Sequence, residues 1–120
     1  MKLSDISKIL EAQVLTGEDC LDFEVTAACG SDLMSDVMAY VKENVVLLTG
    51  LINLQVIRTA EMMDIRAIIF VRGKQPLEGM VELASEKKIV LMSTGNSMYT
   101  ACGKLYEAGL KSNGQLPEGR

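Results

Sequence analysis

Three short apolar runs, 45–49, 67–71 and 89–93, begin 22 residues apart, at Val45, Ala67 and Ile89. Each has the length of a strand and is dominated by β-branched or long aliphatic side chains. The segments between them carry apolar residues at helical spacing. Val56, Ile57, Ala60 and Met63 form one stripe, on a helix expected over about 53–64. A second helix is expected over about 77–87, with Pro76 suited to its first turn. Strand, helix, strand at this interval predicts parallel strands joined by right-handed crossovers.

The flanking pattern extends this unit in both directions. Ser4 is placed to cap a short helix with Ile6, Ile9 and Leu10 on one face, ending by Gln13. Val14 and Leu15 read as a short strand, stopped by the turn Thr16-Gly17-Glu18-Asp19. A further strand is expected near 23–29, ending at Gly30. Ser31 or Asp32 then caps a helix whose apolar face holds Leu33, Val37 and Val41, with Met34 and Met38 alongside, and which ends at Lys42-Glu43-Asn44. After the third regular strand, Met98, Ala101, Cys102 and Leu105 mark a last helix through about Ala108, with Gly109 as its stop. The sequence thus predicts an α/β fold, a single domain over 1–109 with a mixed, mostly parallel sheet flanked by helices. A flexible tail over 110–120, with few apolar groups, is expected to follow.

Composition narrows the functional classes. The 120 residues are 48% hydrophobic and 23% charged, ordinary for one globular domain. Net charge is −4 and the 12 Lys and Arg residues are scattered, so no basic stripe is available for nucleic acid. Aromatic residues make up 4% and tryptophan is absent, which argues against a base-stacking platform. No apolar run approaches the roughly 20 residues that cross a bilayer, and Met1-Lys2-Leu3-Ser4-Asp5 has no signal-peptide core. A cytoplasmic protein is expected.

Cys20, Cys29 and Cys102 are odd in number and lack C-x-x-C spacing, so neither a disulfide framework nor a zinc or iron–sulfur site is predicted. They read as small buried hydrophobes, with Cys29, at a strand end, as a candidate reactive thiol. Histidine is absent. Ser-His-Asp and Cys-His catalysis and His-ligated metals are therefore excluded. No metal or cofactor is expected.

In open parallel sheets, ligands gather outside the carboxyl ends of the strands. Four segments should meet there: Gly30-Ser31-Asp32, Thr49-Gly50, Arg72-Gly73-Lys74, and Ser93-Thr94-Gly95-Asn96-Ser97. Candidate ligand-binding residues are accordingly Ser31, Asp32, Thr49, Gly50, Arg72, Lys74, Ser93, Thr94 and Asn96. The small residues allow close backbone approach, and Arg72 with Lys74 could hold a phosphate or carboxylate. Neither a P-loop nor a dinucleotide fingerprint is present. Asp32 and Asp36, four apart on one expected helix, could form a carboxylate pair, or simply favour the helix dipole.

Methionine occurs 8 times. Most read as core filler. Met62 and Met63 are adjacent on a helix and diverge by about 100°, so one of them must leave the core face. Met34, Met38, Met62 and Met63 are therefore candidate interface residues for a homodimer.

Lys2 to Ile6, Val14-Leu15-Thr16-Gly17, Val25 to Gly30 and Ser31-Asp32-Leu33-Met34-Ser35-Asp36-Val37 resemble a DRTGG domain. So do Leu47-Leu48-Thr49-Gly50 and Glu82-Leu83-Ala84 ahead of 89–94. The likeness spans about 2–108; Leu51 stands where the family often has a second glycine. DRTGG domains are similar to the N-terminal domain of HPr kinase/phosphorylase and occur in CBS-domain pyrophosphatases and phosphotransacetylases. The resemblance implies a regulatory or dimerising module without catalytic residues. Its stand-alone members near iron-only hydrogenase components imply a setting in redox metabolism.

Three functions are thus open. The first is a non-catalytic regulatory or interaction module, dimeric. The second is a sensor binding a nucleotide or other anion at the strand ends. The third is a small enzyme using Asp32, Lys74 or Cys29.

Overall fold

The computed structural model describes residues 1–41 and 43–112. Every residue of β3 (Val45–Thr49), β4 (Ala67–Phe70) and β5 (Val90–Ser93) is buried. Continuous burial is why these strands read as unbroken apolar runs: a parallel sheet covered on both faces has no polar side to alternate with. β1 (Gln13–Thr16) and β2 (Ala27–Gly30) are only partly buried and form the two edges. The five strands run in the order β1-β5-β4-β3-β2. β2 through β5 are parallel, and β1 lies antiparallel to β5 with an irregularity between Val14 and Thr16.

Two helical layers cover the sheet. On one face α2 (Met34–Tyr40), α3 (Leu54–Met62) and α4 (Glu78–Glu86) place Val37, Val56, Ile57, Ala60, Met80 and Ala84 over Leu47, Ile68, Phe70 and Leu91. On the other, α1 (Leu3–Ile9) and α5 (Met98–Glu107) pack Leu3, Ile6, Ala101 and Leu105 over Val46, Leu48, Ile69 and Met92. Alternate strand residues thus serve opposite layers, as the period of two requires. The expected α/β architecture and the parallel pairing of the three regular runs are what the structure contains.

Helix ends differ from the sequence reading in instructive ways. α1 begins at Leu3, so Ser4 sits inside the first turn instead of capping it. Lys2, the residue before the helix, bridges to Glu24. The strand expected near 23–29 is shorter, because Phe23 and Val25 bond to Leu3 and Met1. α2 starts at Met34, so neither Ser31 nor Asp32 is its N-cap. Leu33 is 58% exposed and does not join the buried stripe. Pro76 precedes the Leu77 N-cap and lies outside the first turn of α4. The Asn53 and Ser97 side chains cap α3 and α5 by accepting from Val56 N–H and Thr100 N–H.

At their C-termini, α1, α3, α4 and α5 all finish alike. The amides of Ala12, Ile65, Ile89 and Leu110 donate back to the carbonyls of Ser7, Ala60, Ala84 and Leu105, a Schellman arrangement. The left-handed residue it needs is Gly109 after α5, but Glu11, Asp64 and Lys88 after the others. Leu110 is consequently 4% exposed and packs in the core, and the Lys111 carbonyl accepts from Ala28 N–H on the β2 edge. The segment expected as a tail therefore begins docked to the sheet; its residues 113–120, and Lys42 at the expected end of α2, lie outside the described residues.

No helix among the described residues is long and apolar enough to cross a membrane.

Candidate functional site at the strand ends

The loops after β2, β3, β4 and β5 do meet at one edge of the sheet. Asp32 lies in the β2–α2 loop, and its Oδ1 accepts from Gly50 N–H at 2.6 Å and from the Thr49 hydroxyl at 3.1 Å. Thr49 Oγ1 in turn accepts from Leu51 N–H. The carboxylate thus occupies the amide that an external anion would use. Because Asp32 precedes α2, it and Asp36 are not one turn apart on a helix, so the helical spacing that could have paired them is absent, while Asp36 does lie in the first turn. Ser31 Oγ accepts from Leu33 N–H at 3.0 Å, closing the same loop.

At Gly50 the Arg72 side chain approaches the backbone closely. A Cβ there would lie 2.7 Å from Arg72 Nη2 and 3.6 Å from Asp32 Oδ1. The Arg72 guanidinium therefore rests against the Gly50 backbone, beside Asp32, while Arg72 as a residue remains exposed.

The β4 and β5 loops leave toward opposite helical layers: β4 feeds α4 on one face and β5 feeds α5 on the other. Such a divergence normally opens a ligand crevice. Here it is closed by the main chain. Arg72 and Gly73 adopt left-handed backbone (φ 59° and 68°). Their amides donate to the carbonyls of Asn96 and Thr94, both at 2.8 Å. Ser93 Oγ donates to the Lys74 carbonyl at 2.7 Å and accepts from Gln75 Nε2 at 3.2 Å.

A second latch ties this edge to α1. The buried Thr94 hydroxyl donates to the Leu10 carbonyl at 2.7 Å, and Asn96 Nδ2 reaches the same oxygen at 3.0 Å. Asn96 Nδ2 also donates to Thr94 Oγ1, and Asn96 Oδ1 accepts from Lys104 Nζ at 3.1 Å. Gln75, Lys104 and the Leu10 carbonyl are participants that the sequence pattern did not single out, since their partners are 18, 8 and 84 residues away.

All nine candidate residues therefore share one edge, but they hold it together. Ser31, Asp32, Thr49, Ser93, Thr94 and Asn96 satisfy one another or backbone groups, and among the described residues no buried polar side-chain atom lacks a partner. Of the two cations, Lys74 is exposed and engages the network through its carbonyl. No cluster of metal-ligating side chains occurs among the described residues. Burial pushes the Cys29 thiol up, reinforced by Cys102 and Asp36, and burial also raises Cys102. A thiol held protonated is a poor nucleophile, so the reactive-cysteine reading of Cys29 gains nothing from its surroundings.

The chain matches the DRTGG domain model over residues 5–108. It belongs to the DRTGG family. No curated protein matches it in sequence. Among solved structures, the DRTGG chain is similar to the regulatory region of a Clostridium perfringens pyrophosphatase, its CBS and DRTGG domains complexed with the activator diadenosine tetraphosphate. Identity is 15% and the TM-score 0.73, covering 98% of this chain and 51% of that one. This DRTGG chain spans about half the length of that neighbour, and the likeness at this identity is one of fold.

Proposed function

We propose that this DRTGG chain is a non-catalytic regulatory module that acts as a homodimer. The observation that carries the reading is the closed strand edge. Polar residues that would do chemistry in a related architecture instead bond to neighbouring loops and to α1. That arrangement suits a rigid body that transmits contacts. The regulatory setting of the neighbouring pyrophosphatase region supports the same reading.

Dimerisation is supported by apolar side chains left outside the core. Leu33 before α2 and Met38 on it, and Leu54 and Met62 on α3, are 58%, 40%, 44% and 69% exposed within one helical layer. Met34, at 4%, is a core residue and leaves the interface proposal; Met63 packs partly against the core. Sedimentation equilibrium should give about twice the 13.1 kDa chain mass, and Met62→Lys should shift it toward monomer. A monomer in the unaltered protein removes the dimeric reading. The redox setting implied by the family resemblance is carried as part of this proposal, and co-purification from a hydrogenase-bearing cell tests it.

A second reading is favoured by the Arg72–Gly50 contact. An anionic ligand, such as a dinucleoside polyphosphate, displaces Asp32 from the Gly50 amide and engages Arg72 and Lys74. Such a ligand should raise the melting temperature, and replacing both cations with Ala should abolish the rise. No shift at millimolar concentration disposes of the sensor.

A further inference from the structure

At the opposite edge of the sheet, where the parallel strands begin, lies a cavity of about 400 Å³. Its apolar wall is Leu3 from α1, Phe23 from the loop before β2, and Val90 from the start of β5. Arg66 and Lys88, which precede β4 and β5, supply two cations, and Asp19 and Asp22 supply two carboxylates. A further hollow of about 350 Å³ continues past Asp19 and Lys88 toward Gly17 and Ser85.

All four charged residues are exposed. Opposite charges that stay solvated gain little by pairing with each other. None of these four residues forms an ion pair with a described residue, whereas Lys87, next to Lys88, does so with Glu61 at 2.9 Å. The positions are fixed by the fold. Lys88 is the left-handed residue that ends α4. Arg66 lies over the Phe23 ring at 5.0 Å, which steers its guanidinium. Gly17 (φ 89°) turns the β1 end so tightly that a Cβ would meet Val90 Cγ2 at 2.7 Å, and so sets where the Asp19–Asp22 loop begins.

We propose that this cavity binds a small zwitterion with an apolar body, of the class of apolar α-amino acids. Its carboxylate pairs with Arg66 and Lys88, its ammonium with Asp19 and Asp22, and its side chain lies along Leu3, Phe23 and Val90. A polyanion is disfavoured by the two carboxylates. A metal cation is disfavoured by the two basic residues. A purely apolar ligand would make no use of the four charges around the cavity. The volume falls within the ordinary range for small-molecule sites. This site is separate from the strand-end edge, so its outcome is independent of the regulatory and sensor readings.

The test is amide chemical-shift titration with L-phenylalanine and L-leucine at millimolar concentration, alongside phenethylamine and 3-phenylpropionate. The zwitterions should perturb Leu3, Cys20, Phe23 and Val90, and each single-charge analogue should bind about tenfold or more weakly. Lys88→Asn, which keeps the left-handed backbone, and Asp22→Asn should each weaken binding by about tenfold while leaving the rest of the spectrum in place. Absence of binding, perturbations centred elsewhere, or equal binding of 3-phenylpropionate would overturn the proposal.

Discussion

The two edges of the sheet use polar residues in opposite ways. Where the parallel strands end, Asp32, Thr49, Ser93, Thr94 and Asn96 bond to one another, to loop amides and to the Leu10 carbonyl, and the crevice between β4 and β5 is closed. Where the strands begin, Asp19, Asp22, Arg66 and Lys88 surround an open cavity without forming ion pairs among the described residues. The contrast reverses the usual expectation for open α/β sheets. On the proposal made above, hydrogen-bond saturation outweighs position in the topology, because a group already bonded gains little by exchanging partners.

The largest effect is expected at Gly17, which lies against the start of β5 at the beginning edge. Gly17→Ala combines a left-handed φ of 89° with a Cβ 2.7 Å from Val90 Cγ2 and 3.0 Å from Val90 Cα. It should cost about 2–4 kcal/mol by urea unfolding, since backbone is one of the atoms in the way. A loss under about 1 kcal/mol would show that this edge is softer than its counterpart. Next comes the latch at the other edge. Thr94→Val keeps the shape but removes the buried hydroxyl, leaving the Leu10 carbonyl with Asn96 Nδ2 alone and taking the acceptor from the Asn96 backbone N–H. Stability should fall by about 1–3 kcal/mol. If it does not, the closed edge is not held by this network.

A gain is expected from Asp64→Gly. Asp64 ends α3 in left-handed backbone at φ 56°. Glycine relieves strain of about 1 kcal/mol, read as a higher denaturation midpoint. The smallest effect concerns pH. Cys29 and Cys102 have raised folded pKa values. The native state therefore holds these protons more tightly than the unfolded chain. Their contribution is complete below the ordinary thiol range and is lost as pH rises through that range toward the folded values. Stability should decline slightly on that alkaline limb, and replacing both with Ala should flatten it. Slow thiol modification of both in mildly alkaline solution is the accompanying expectation.

Much of the fold is legible along the chain. The runs at 45, 67 and 89 have the unbroken apolar character that a doubly covered parallel sheet demands, at strand length and regular interval, and the stripes between them are helices because their spacing matches 3.6 residues. Divergence of Met62 from Met63 likewise follows from helix geometry alone. Helix ends were less legible. Glu11, Asp64 and Lys88 hold a conformation that glycine ordinarily announces, so their turns left no compositional mark. Asp32 looked like an N-cap and instead binds Gly50, 18 residues on.

What the sequence determined by itself was therefore periodic and local: which segments become strands and helices, which faces are apolar, and which loops share an edge. What only the tertiary structure decided was how the polar residues pair. A side chain such as Thr94 or Asn96 can bond to any amide or carbonyl within reach. Which groups come within reach depends on contacts as distant in sequence as Leu10 and Asn96, brought together by the packing of α1 on the sheet. For the same reason the cavity between α1, β5 and the Asp19–Asp22 loop had no signature in sequence. Its charges, contributed by segments 19–22, 66 and 88, acquire a common meaning only once the fold has set them around one space.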